Sequence, residues 1–314
     1  MEKVILKTPS IANKVMMVRP ANFGFNEETA KNNSFQANIF GLTPEEISSR
    51  AVVEFDQLVQ KMVDHGIQVE IIQDTTEPKN PDAVFPNNWI SFHHPDFIVT
   101  YPMFAKARRS ERRESIIDII REEYKIKAQF RFEQFEAEEK FLEGTGSMIF
   151  DRENKIAYAC RSIRTDEKLF HQFCADMNFK PVLFDSVDAK GNPIYHTNVM
   201  MCVAADFVVI CMESIPIAAE RRLLKAFFKE TGKKIIDISL NQVEQFAGNM
   251  LQLKNEKEDR FLIMSTSAYN SLNKEQLNSI LPLTKIIHSD LTTIETYGGG
   301  SARCMIAELF LDKK

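Results

Sequence analysis

Cys304 follows three consecutive glycines, Gly298-Gly299-Gly300, and opens the apolar run Met305 to Phe310. Glycine lets a backbone turn sharply and approach a ligand closely. A thiol at the junction of such a loop and a buried strand is placed as a nucleophile would be. Four further loops hold polar groups: Phe85-Pro86-Asn87-Asn88, Glu143-Gly144-Thr145-Gly146, Tyr195-His196-Thr197-Asn198 and Gly248-Asn249. Brought together, they would give Cys304 an imidazole from His196, a carboxylate from Glu143 and several amides. Thiol, base and orienting carboxylate are the components of covalent catalysis.

These loops recur at a fixed period. Asn88, Gly146, Asn198, Asn249 and Ser301 each precede a strand pattern, at successive separations of 58, 52, 51 and 52 residues. Each interval reads as strand, strand, helix, strand. The helices are expected near 108–124, 165–177, 216–230 and 267–281, and strands include 128–135, 181–184, 234–238 and 285–288. The fifth unit is split. Its first strand comes from the C-terminal run 303–310. The rest is the strand at Val15 to Pro20, the helix from Pro44 to His65 capped by Thr43, and the strand at 67–72. Joining the two chain ends in one unit closes a ring. The expectation is therefore an α/β fold, a single domain over 1–314, with five ββαβ units about an axis and entry loops converging on it. The polar loop Asn22 to Asn38 is long enough to be a lid.

Composition bounds the function. Hydrophobic residues make up 44% and charged residues 26%, as in an ordinary globular protein. Net charge is −5, which gives no attraction to nucleic acid. Met1 to Lys7 has no apolar h-region, and no stretch is long enough to span a bilayer. The five cysteines show no CxxC spacing, so neither a zinc site nor a disulfide framework is indicated. A cytoplasmic protein with reduced thiols and no metal or organic cofactor is expected. Its partner would be a small molecule, with a homo-oligomer left open.

Taken in order, these motifs resemble the guanidino-group-modifying superfamily of arginine deiminases, dimethylarginine hydrolases and amidinotransferases. The Val18-Arg19-Pro20-Ala21-Asn22-Phe23-Gly24-Phe25-Asn26 and Phe85-Pro86-Asn87-Asn88-Trp89 segments are most similar to the bacterial citrulline-utilisation hydrolase branch. The resemblance implies a five-bladed α/β propeller (pentein) over essentially the whole chain. It implies catalytic roles for Cys304, His196 and Glu143. Arg164, within Ser162-Ile163-Arg164-Thr165, would hold a substrate carboxylate; Arg19 and Arg303 compete for that task. Asn87, Asn88 and Asn198 would contact the reacting group. Gly146 stands where the family carries Asp, and Asn88 and Asn198 stand where arginine deiminases carry Asp. A guanidinium is cationic and offers only donors, whereas a ureido group is neutral and also accepts. Amides in place of carboxylates point to citrulline, converted to ornithine, ammonia and carbon dioxide. Deimination, dimethylarginine hydrolysis and amidino transfer are the neighbouring readings. A non-catalytic propeller of the translation-initiation-factor type is the alternative from another class.

Overall fold

The computed structural model describes residues 10–39 and 41–314; the segment Met1 to Lys7 lies outside the described residues. Among the described residues, fifteen strands form five separate three-stranded sheets. In every sheet the first strand pairs antiparallel with the second, and the second pairs parallel with the third. A parallel pair needs a crossover connection. The helices supply it: Pro44–Asp64, Glu114–Glu123, Glu167–Asp176, Ala218–Glu230 and Lys274–Ile280. The first strands are Ile90–His93, Met148–Asp151, Met201–Val203, Leu251–Lys254 and Ala307–Glu308. Three pairs of neighbouring blades touch through these strands: Ala307–Glu308 with Ile90–His93, Met148–Asp151 with Met201–Val203, and Met201–Val203 with Leu251–Lys254. The ring closes as expected: Ala307–Glu308 pairs antiparallel with Lys14–Arg19, matching Val15 to Glu308 and Met16 to Ala307.

Local chemistry explains the element ends. Thr43 caps the long helix in a reciprocal box with Glu46, and Pro44 occupies its first turn. The helix expected over 267–281 is two helices, Thr266–Ser271 and Lys274–Ile280. Asn273 starts the second through a capping box with Gln276. The helix expected from 108 begins only at Glu114. Before it, Lys106–Glu111 is a 3₁₀ helix, whose three-residue turn sets Arg108 and Glu111 on one buried face. The strand expected over 128–135 stops at Arg131, and a 3₁₀ segment follows.

The C-terminal run departs most from expectation. Strand pairing is confined to Ala307–Glu308. Residues 301–306 form tight turns, with Cys304 N–H donating to Ser301 O at 3.0 Å and Met305 N–H to Ala302 O at 3.2 Å. Cys304 therefore sits on a turn above its strand. Equivalent short turns precede other inner strands, at Pro86–Asn88, Gly144–Ser147 and Thr197–Met200. Gly299 ends the preceding helix at φ +63°, and a Cβ there would lie 2.5 Å from Asn33 Nδ2.

Candidate active site

The entry turns line a pocket with about 280 Å³ of empty space, open in part to solvent. Its wall includes Asn88, Arg108, Arg164, His196 and Cys304, with Asp82 and Tyr195. The loop between Asn22 and Asn38 covers it. Asn26 Nδ2 donates to Asp82 at 2.7 Å, Asn33 Nδ2 donates to Gly299 O at 3.3 Å, and Ala37 N–H donates to Thr296 O at 2.7 Å. Thr29 and Asn33 thereby join the wall.

Cys304 is 3% exposed. Two amides converge on its sulfur, Asn198 Nδ2 at 3.3 Å and Asn249 Nδ2 at 3.2 Å. Donors on that side suit a sulfur that gains negative charge. Asn249 is itself fixed, donating to Asn198 O at 2.9 Å and accepting from Arg303 N–H at 3.0 Å.

His196 lines the same pocket, and its Nε2 lies 2.7 Å from Glu143 Oε2. Burial opposes the Glu143 charge, but Arg164, the His196 hydrogen bond and Arg108 outweigh it and hold the carboxyl at about 2. Glu143 is thus ionised, and His196 carries its ring proton on Nε2. That leaves the Nδ1 lone pair for proton transfer. Burial draws the imidazole down to about 4 despite Glu143, so it rests neutral near pH 7. The other Glu143 oxygen accepts Phe104 N–H at 2.9 Å. Both carboxylate oxygens are thus occupied by donors of the protein itself.

Gly146 has a steric role here. A Cβ on it would lie 2.4 Å from Asn88 Nδ2 and 2.8 Å from His196 Nδ1. With no side chain at 146, both groups keep their places.

The asparagines are polarised by their neighbours. Arg108 Nη1 donates to Asn88 Oδ1 at 2.8 Å, so Asn88 presents its Nδ2 donors, which have no partner. Asn198 gives its Nδ2 to sulfur and keeps an unpartnered Oδ1. Arg108 is held by Glu111 through two bonds of 2.8 Å and lies 3.7 Å from Asp82. Asp82 keeps one oxygen, Oδ1, unpartnered.

The expected site residues separate into two sets. Cys304, His196, Asn88 and Arg164 line the pocket. Glu143 and Asn198 stand directly behind it, each bonded to one of these groups. Arg164 reaches Asn32 Oδ1, Thr29 O at 3.4 Å and Glu143 at 3.4 Å, and lies 4.9 Å from the Tyr195 ring centroid. Arg19, in contrast, is bound at 2.8 Å through two nitrogens to Asp56 on the long helix. Arg303 turns away to Ile306 O at 2.8 Å and Glu308 at 3.1 Å. Asn87 is buried outside the pocket wall, its main-chain oxygen accepting from Thr145 at 3.3 Å. Sequence reasoning missed Asp82 and Glu111 as site elements and ranked Arg108 only as a weaker candidate for the substrate carboxylate, behind Arg19, Arg164 and Arg303. Asn249, seen only as a loop amide, is a sulfur ligand. Among the described residues no group of His, Cys, Asp and Glu is arranged to hold a metal ion, and no helix is long and apolar enough to cross a membrane.

Five ββαβ blades with this pocket at their axis define a pentein of the guanidino-group-modifying superfamily. Residues 19–311 match the family model for eukaryotic N,N dimethylarginine dimethylhydrolase, and the chain belongs to that family of C–N hydrolases. No curated protein sequence matches. Among solved structures, apo ArgZ, an arginine dihydrolase from the ornithine-ammonia cycle in cyanobacteria, aligns at TM-score 0.74 and 17% identity. The alignment covers 95% of this chain but only 41% of ArgZ. The N-terminal domain of ArgZ, as a variant bound to its substrate, aligns at 0.73 and 18% over 95% of this chain and 99% of the domain. A dimethylarginine dimethylaminohydrolase variant, an adduct with S-methyl-L-thiocitrulline, aligns at 0.65 and 12% over 95% and 100%. At these identities the likeness speaks to the fold.

Proposed function

We propose that this protein hydrolyses the ureido C–N bond of citrulline through a covalent adduct on Cys304, releasing ornithine, ammonia and carbon dioxide. The observation that carries this reading is the polarity of Asn88 in the pocket wall. Arg108 holds its Oδ1, so Asn88 offers only N–H donors to a ligand. A ureido group has a carbonyl acceptor for them. A guanidinium has no acceptor for Asn88.

The proton inventory also closes. His196, neutral at rest, takes the thiol proton on Nδ1 as sulfur attacks the ureido carbon. The carbonyl oxygen becomes negative, and Asn88 Nδ2 stabilises it. His196 returns the proton to the ornithine nitrogen as that C–N bond breaks, leaving a carbamoyl thioester. Water then attacks the thioester carbon, giving its proton to His196 and expelling the sulfur. The freed carbamate decomposes to ammonia and carbon dioxide. Arg164, in the pocket wall, is the preferred ligand for the substrate carboxylate.

The test is incubation with citrulline and with arginine, followed by separate assays for ornithine, citrulline and ammonia. Ornithine and ammonia from citrulline support the reading. Turnover of arginine alone would overturn it in favour of the second reading, a guanidino substrate. That reading rests on Asp82 Oδ1, an unpartnered carboxylate oxygen beside the pocket that suits a cationic donor.

Two predictions follow from the geometry. Asn88→Asp removes the donor to the developing oxyanion and should lower kcat/KM for citrulline by about 10²–10³-fold. Arginine turnover should rise relative to citrulline in the same variant, as competition assays would read. The second concerns pH. A base at about 4 in the free enzyme stays neutral down to pH 5.5, so kcat/KM should be nearly flat between pH 7.5 and 5.5. An unperturbed imidazole near 6.5 would lose about tenfold over that interval. Initial rates in a constant-ionic-strength buffer series decide between them.

A further inference from the structure

A second cavity lies among the inner strands, past the entry turns, with about 510 Å³ of empty space that is open in part to solvent. Asp151, Val203 and Glu308, each the last residue of its inner strand, are in its wall. It shares no lining residue with the catalytic pocket.

Three cations face it, Arg152, Lys233 and Arg303, against two carboxylates, Asp151 and Glu308. All five are buried or nearly so. Lys233 is satisfied, bonded to Asp151, Ala204 O and Ala205 O at 3.0 Å each. Arg303 takes Glu308 at 3.1 Å. Among the described residues Arg152 has the same Glu308 oxygen at 3.7 Å, a 3.4 Å contact to His93 Nδ1, and the Phe310 and Phe150 ring centroids at 4.1 and 5.0 Å. Two guanidinium groups therefore share one carboxylate, and among the described residues three cations face two carboxylates. The neighbouring Gln252 is 3% exposed. Its Oε1 accepts Ala205 N–H at 2.9 Å, while its Nε2 has no partner among the described residues. A buried cation and a buried amide donor, both under-satisfied, are costly unless an acceptor meets them. Burial and Arg303 lower the Arg152 pKa, and Glu308 offsets them only in part.

We propose that this cavity is a binding site for a small oxyanion, a phosphate or a carboxylate, held by Arg152 and Gln252 Nε2 beside Arg303. An oxyanion supplies the missing counter-charge and the missing acceptor together. Its occupancy bears on the catalytic side through one residue: Arg303 presents its side chain to the cavity, while its main-chain N–H holds Asn249, the donor to Cys304 sulfur.

The test is thermal unfolding of the full chain in inorganic phosphate and in acetate, against gluconate at matched ionic strength. Calorimetric titration of the unmodified protein with each anion accompanies it. Saturable heat and a Tm rise of about 2 °C at ten times Kd are expected for at least one of them. The responding anion shows which oxyanion the site takes. Gln252→Leu should weaken binding several-fold, and Arg152→Gln should abolish it; if the latter fails to fold, Gln252→Leu decides. Arg164→Gln, in the catalytic pocket, should leave the shift unchanged. No saturable heat and no shift beyond gluconate would overturn the proposal. So would a shift that survives both cavity variants and disappears with Arg164→Gln. The readout is binding, so it stands apart from citrulline hydrolysis.

Discussion

Cys304→Ala is expected to lower citrulline turnover by on the order of 10⁶-fold, to the level left by binding and oriented donors alone. The attacking sulfur has no substitute in the pocket wall, since Cys304 is its only cysteine. The other four thiols are buried and do not line the pocket. Burial pushes Cys160, Cys174 and Cys202 up to about 12 and Cys211 up to about 11. Iodoacetamide at neutral pH should therefore modify one residue per chain, and saturating citrulline should protect it. Peptide mapping by mass spectrometry identifies the residue. The fold should survive the substitution, because alanine removes a single small group from a site of polar partners. Circular dichroism and retained citrulline binding would establish that. A variant that still turns over citrulline at a tenth of the original rate would end the covalent mechanism. Intact biological activity without turnover would favour the binding-module reading instead.

The period in the sequence located what repeats. Asn88, His196, Asn198 and Cys304 all lie at entry turns, where one structural position recurs in each blade. Their shared destination could be inferred without knowing any contact. Groups supplied by connections between strands have no such counterpart. Asp82 comes from the coil before Pro86–Asn88. Arg108 and Glu111 come from a 3₁₀ segment that reads as ordinary charged helix. Thr29 and Asn33 come from the covering loop, which was legible as a lid but not residue by residue. Charge alone also misleads. Arg303 adjoins Cys304, yet successive residues in a turn of about three residues point some 120° apart. It faces the second cavity for that reason. Arg19 lies in a motif that supports the family, and the long helix answers it with Asp56. Neither outcome could be read from sequence distance to the nucleophile. The C-terminal strand was overestimated because its apolar run is buried in turns as well as in pairing.

Glu143→Gln is the sharper test of how the base is prepared. Glutamine has the same shape, but its two ends differ. Glu143 now accepts three N–H groups, Phe104 N–H on Oε1, and His196 Nε2–H with a longer 3.4 Å bond from Arg164 Nη1 on Oε2. Glutamine can accept at only one of its two ends. Phe104 N–H is main chain and has no other acceptor in reach, whereas Arg164 keeps Asn32 Oδ1 and Thr29 O, so the carbonyl oxygen turns to Phe104. The amide N–H₂ then faces His196 Nε2, which must present a lone pair. The ring proton moves to Nδ1, and Nδ1 can no longer receive the proton from Cys304. A wrong tautomer of this kind costs about 10⁴-fold in kcat. Because Asn88 and Asn198 are untouched, KM for citrulline should change by less than about tenfold. Imidazole ¹⁵N shifts of His196 report the tautomer directly, and they should exchange protonated Nε2 for protonated Nδ1. A structural role alone would lower stability without moving that signal. Loss of activity with the original tautomer retained would therefore refute the orienting role, and so would a glutamine variant of near-normal kcat. Glu143→Asp offers the complement. It keeps the charge and both acceptor oxygens at a shorter reach, so part of the rate should return with the original tautomer.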